Sequence, residues 1–170
     1  MAELKRIPKA SAAAALDKAH HYRLLNEPFL AESICLDVLE VDPGNQRALI
    51  ILLLALSDQF PTRRHHAQSQ AMNLIPQLNS EFDRLYYEGI IHERWASEQI
   101  ESGIAPRSAV EWLGKAMKCF ESAQRLTADQ NPDPILRWNT CARLGRQVVF
   151  SEAESDVLSR EIEAEYGDHV

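Results

Sequence analysis

The chain has 170 residues, with 18 Lys and Arg against 25 Asp and Glu, a formal net charge of −7, 45% hydrophobic residues and only 6 Gly. That is enough apolar material for one domain core and too little for two. The acidity excludes a global basic footprint for nucleic acid, the few Gly argue against Gly-rich nucleotide loops and turn-dense β folds, and the composition excludes collagen-like, disulfide-scaffold and disordered classes.

In chain order the pattern is helical almost throughout: apolar residues recur three and four apart and no stretch alternates like a strand. Lys5, Arg6 and Lys9 precede the apolar run Ala12 to Leu16, but Asp17, Lys18 and His20 interrupt it, so a first helix after Pro8 is expected rather than a signal peptide. That helix carries Leu16, Ala19, Tyr22 and Arg23 and ends at Asn26, a residue that tolerates the left-handed conformation. Pro28 opens a second helix with Leu30, Ala31, Ile34, Cys35 and Val38 on one face, stopped by Asp42-Pro43-Gly44. Asn45 is placed to cap the apolar helix Ala48 to Leu56. After Phe60-Pro61, Thr62 is expected to cap a helix reaching about Ile75.

Ser80 with Asp83, and Ser108 with Glu111, read as capping pairs for two longer helices. The first carries Phe82, Leu85, Gly89, Ala96 and Ile100, and the second Val110, Leu113, Met117, Phe120 and Ala123. Asn131-Pro132-Asp133-Pro134 breaks the chain before a helix with Trp138, Cys141, Ala142 and Gly145. Ser151 and Glu154 then suggest a separate last helix through Val157, Leu158 and Ile162. The sum is an all-α chain of about eight helices in short-looped hairpins. Between Glu152 and Asp168 seven acids stand against Arg160, so this segment carries −6 of the total −7.

Internal similarity organises these helices. Tyr22, Ala31, Cys35, Val38 and Pro43 recur in spacing as Asp58, Ala67, Ala71, Leu74 and Asn79, and Ala116, Phe120 and Ala123 repeat the middle part. This resembles the tetratricopeptide repeat, a helix–turn–helix unit of about 34 residues. Units are read at about 12–45, 46–79, 80–131 and a partial 132–150, followed by an acidic capping helix over 151–166. The third unit is overlong, since Gly89 and Ala116 are 27 apart where Ala19 and Ala31 are 12 apart. Small residues at Ala19, Ala31, Ala55, Ala67, Gly89 and Ala116 allow close helix crossing. The resemblance implies hairpins stacked as a short right-handed superhelix in one domain.

No catalytic constellation emerges. His92-Glu93-Arg94-Trp95-Ala96 begins like the zinc-protease helix, which needs a second His where Ala96 stands. His20-His21 and His65-His66 are adjacent pairs whose side chains point about 100° apart, and Cys35, Cys119 and Cys141 are expected to lack nearby His partners and read as small core residues. No metal and no cofactor is expected. Three unpaired cysteines fit a reducing cytoplasm, and the longest uncharged apolar run, Ala48 to Ser57, is about half of a membrane span.

In tetratricopeptide proteins the first helix of each unit lines a concave groove. The resemblance therefore implies a partner-binding surface of Leu16, His20 and Arg23, then Leu52, Leu56 and Gln59, then Tyr86, Ile90 and Glu93, and finally Asn139, Arg143 and Arg146. Leu52 and Leu56 are equally readable as core. The expected function is a non-catalytic adaptor, monomeric or weakly dimeric, that binds a peptide or helix of another protein and neither nucleic acid nor membrane. An acidic cytoplasmic secretion chaperone, and a helical-bundle enzyme or small-ligand binder, are the alternatives.

Overall fold

A computed structural model describes residues 3–103, 106–127 and 131–166 of the chain, with the side chains of residues 64, 106 and 151–166 outside that description. Among the described residues there are seven α-helices and no strand: α1 (Ala12–Leu24), α2 (Pro28–Val41), α3 (Gln46–Ser57), α4 (Phe60–Leu74), α5 (Glu81–Ser102), α6 (Pro106–Arg125) and α7 (Asp133–Tyr166), with short 3₁₀ turns before α1 and after α4.

Local chemistry sets most of the ends. Asn26 takes a φ of 60° and Gly103 a φ of 65°, so each reverses the chain in the left-handed region after its helix. Asn45 Oδ1 accepts from the Ala48 N–H at 3.0 Å, and Ser80 Oγ accepts from the Asp83 N–H at 3.3 Å, capping α3 and α5. Three expected caps fall elsewhere. Helix α4 already begins at Phe60, because Pro61 fits a first turn that needs no N–H from it, and the Thr62 hydroxyl donates to the Gln59 carbonyl. Helix α6 begins at Pro106, which puts Ser108 inside the first turn, where its hydroxyl bonds the Gln99 side chain of α5. Ser151 starts nothing: Gln147 to Phe150 contain no Gly or Pro, and α7 runs through to Tyr166 as one helix of 34 residues. The expected apolar stripe of Val157, Leu158 and Ile162 lies outside the described side chains.

Successive helices pack as neighbours, and α1 also touches α3, α3 touches α5, and α5 touches α7. The core has two parts. One fills α1 to α4 and takes in Ile91 and Trp95 of α5, with Phe60 edge-on to Trp95 at 5.6 Å. The other joins Ile90 and Ala96 of α5 to Ala109, Leu113, Ala116 and Phe120 of α6 and Cys141 of α7. Ala19, Ala31, Ala55, Ala67 and Ala116 are fully buried and Gly89 is buried too, which puts every expected small residue at a helix contact.

Gly89 shows how tight that contact is. A Cβ built there would lie 2.6 Å from Cε1 of Phe120, a ring that is itself fully buried. Gly inside a helix costs about 1 kcal/mol against Ala, whereas overpacking costs about 1–3 kcal/mol. Gly89→Ala should therefore lower stability in a urea melt despite its better propensity, and Gly89→Leu should lower it further. Gly114 is the control: it sits inside α6 with nothing within 4 Å of a built Cβ, so Gly114→Ala should stabilise by about 0.5–1 kcal/mol.

Candidate functional site

The implied concave surface is largely used internally. Leu16, Leu52, Leu56 and Ile90 are buried core residues. Helical spacing shows that these faces are apolar without showing that a neighbouring helix covers them. Gln59 is buried as well and donates to Glu32 at 2.7 Å. His20 is exposed on α1 and Tyr86 is half-buried beside Phe82, Tyr87 and Phe120.

The charged candidates Arg23 and Glu93 belong to a set of ion pairs that ties the odd-numbered helices together. Arg23 Nε of α1 donates to Asp58 Oδ2 at 2.7 Å, and Arg94 of α5 donates to the other oxygen of Asp58. Arg94 also donates to Ser57 Oγ at 2.6 Å and to the Leu54 carbonyl at 3.3 Å, so it closes the C-terminal end of α3. Glu93, 5% exposed, accepts from Arg137 of α7 at 3.1 and 3.2 Å. Burial pushes the Glu93 carboxyl above its ordinary range, and the Arg137 charge holds part of that rise back. On the even-numbered side Arg63 of α4 holds Glu32 of α2 at 2.8 and 3.1 Å.

An accessible concavity lies between α6 and α7. It is a groove of about 600 Å³. Leu113 and Cys141 are buried in its wall, Met117 and Trp138 are half-buried, and Val149 and Phe150 stand exposed at one end. Two glycines keep it open. Gly114 of α6 leaves its side empty, and a Cβ on Gly145 of α7 would reach no closer than 3.7 Å to Leu113. Helix α7 itself continues past the groove without a break, as one helix of about 50 Å at about 1.5 Å per residue.

The last trio of candidates meets this groove. Arg146 lines it, Arg143 is exposed one turn earlier, and Asn139 is half-buried one turn before that. Among the described residues neither arginine is ion-paired. Sequence reasoning named Arg146 but missed the apolar partners Val149 and Phe150, whose signal was an apolar pair inside a helix that had been expected to end there.

Two further groupings involve α5. A small pocket of about 220 Å³ lies by Ser57, Phe60, Arg94, Glu98 and Glu101. On another face of the helix, Glu88, His92 and Cys119 of α6 bring their ligand atoms within 4.8 Å of one another. This corrects the reading of Cys119 as a cysteine with no His neighbour: the partner comes from the adjacent helix, which sequence spacing does not reveal. Cys35 and Cys141 are buried thiols, each pushed up to about 12 by burial, and behave as small core residues.

Two predictions follow from the ion pairs. Asp58→Asn leaves two part-buried guanidinium groups without their counter-charge and should cost about 2–4 kcal/mol in chemical denaturation, the usual cost of a broken buried pair reduced for residual solvent contact. Glu93 gives a pH signature. Its folded-state pKa lies above its ordinary 4.5, so the folded chain holds this proton longer than the unfolded one. The contribution is favourable below the ordinary value and is lost as pH rises through the folded value. Glu93→Gln should remove that fall, so urea melts across pH 4 to about 7 should show wild type losing stability relative to the variant as pH rises.

No protein-family model, curated protein or solved structure matches this chain, so any functional reading rests on its own geometry.

Proposed function

We propose that the chain is a tetratricopeptide-like interaction module without catalytic activity, which holds an amphipathic helix of a partner protein in the groove between α6 and α7. The observation that carries this is the open apolar groove itself, with Val149 and Phe150 exposed at one end and Arg146 beside them. Exposed apolar surface next to a rim charge is the pattern of a docking site. The occupant is a helix because the groove lies between two helices, where a further helix of the stack would pack, and no sheet edge among the described residues is offered to an extended strand. Carboxylates flanking its apolar face complement Arg143 and Arg146, since guanidinium binds carboxylate in two-pronged fashion.

The packing of each odd-numbered helix on the next supports a hairpin stack of the tetratricopeptide kind, with the superhelical arrangement that implies. The three free cysteines support a reducing, cytoplasmic setting. Among the described residues no helix is long and apolar enough to cross a membrane.

The test is a displayed peptide library selected on the full chain. Selected peptides are expected to carry apolar residues three and four apart next to Asp or Glu. They should bind at least tenfold more weakly to Val149→Glu and to Arg146→Glu, with reduced salt dependence in the latter. Both substitutions lie at exposed positions, so the fold is spared. Equal affinity for all three proteins would overturn the proposal. So would a stable dimer in sedimentation that Val149→Glu dissociates, since the groove would then belong to a second copy.

A further inference from the structure

We propose that Glu88, His92 and Cys119 form a zinc-binding site that clamps α5 to α6 in the long hairpin. This is independent of the groove, and it departs from the sequence-based expectation of no metal. Glu88 and His92 are one turn apart on α5, so they share a face, and Cys119 of α6 is opposite. All three ligand atoms lie within 4.8 Å of one another, and His92 Nε2 is 3.6 Å from Glu88 Oε1. Ligand atoms around a tetrahedral zinc are separated by about 3.3–3.6 Å, given its bond lengths of about 2.0 Å to N or O and 2.3 Å to S. The site therefore needs only small side-chain rotations to close on the ion.

A second observation is the state of His92. Its side chain is 9% exposed and its ring lies against Trp112 at 5.2 Å. Nδ1 is buried without a hydrogen-bond partner, and the contact of Nε2 with Glu88 is longer than a normal hydrogen bond. With the ring proton on Nδ1, the lone pair is on Nε2, which faces Glu88 without a normal hydrogen bond, and a cation there supplies that partner. The mixed N, O and S donors suit zinc, whereas calcium and magnesium require oxygen. Three protein ligands leave a fourth position for water. The Glu88 side chain is 34% exposed, so the ion enters on that side.

Without metal, burial and the Glu88 charge push the Cys119 thiol up to about 11, so it is protonated. On binding, the S–H bond breaks, a sulfur–zinc bond forms and the proton leaves to solvent. The carboxylate of Glu88 needs no such exchange, because a glutamate is already ionised at neutral pH.

The experiment is titration of the full-length protein with Co²⁺, a coloured substitute for zinc. One equivalent is expected to give a thiolate-to-cobalt charge-transfer band in the near ultraviolet, which zinc then displaces. Cys119→Ser should abolish the band. Glu88→Gln should keep it while weakening affinity at least tenfold, and Cys141→Ala should leave it unchanged. Zinc should raise the melting temperature of the wild type and not that of Cys119→Ser. If Cys119→Ser does not fold, His92→Gln takes its place, with tenfold or greater weakening expected. Absence of the band at one equivalent, or its persistence unaltered in the folded Cys119→Ser or His92→Gln protein, overturns the proposal.

Discussion

Helix α5 is buried on nearly every side through its middle, from Gly89 to Glu98, and it carries His92, Glu93, Arg94 and Glu98 in that stretch. A helix cannot bury such groups among hydrocarbon without partners, so its neighbours must supply them. Asp58 at the end of α3 meets Arg94, and Arg137 of α7 meets Glu93. These contacts fix the rotation of α5, because turning it would move charges into the apolar clusters on either side. Ile91 and Trp95 can then serve the first core while Ile90 and Ala96 serve the second. The ion pairs are best understood as devices of register more than as net sources of stability, since desolvation offsets much of their attraction.

Much of the fold was legible because helical periodicity and turn chemistry are local. Asn26, Asn45 and Ser80 act where their side chains suggested. Ser151 misled because a serine three residues before a glutamate is a cap only if the preceding backbone leaves the helix, and nothing in Gln147 to Phe150 makes it do so. The groove candidates misled for a tertiary reason: Leu16, Leu52, Leu56 and Ile90 are apolar in sequence whether a partner protein or a neighbouring helix covers them. The ion pairs left a usable trace. Asp58 and Arg94 are 36 residues apart, as are Tyr22 and Asp58, so a spacing already visible in the sequence sets the opposite charges of Asp58 and Arg94 in register.

The same geometry separates two kinds of arginine. Arg23, Arg94 and Arg137 have acidic partners within the chain and act as internal ties. Arg143 and Arg146 come later on α7, both exposed, and Arg146 lines the open apolar groove together with Gly114 of α6. Residue type is the same in both groups. What differs is the surroundings: the first three meet carboxylates on packed helices, whereas Arg143 and Arg146 are exposed and make no ion pair among the described residues.

Among the described residues every extensive helix contact joins elements that are adjacent or next-but-one along the chain. None requires distant ends to find each other, so the entropy of closing long loops, which slows many β proteins, is small here. Assembly can start at any hairpin and spread in either direction. During synthesis α1 to α4, with their nearly complete apolar cluster, can organise before α6 and α7 have left the ribosome. In that order α5 is the junction: it arrives with one face for a core already waiting and another for a core not yet made.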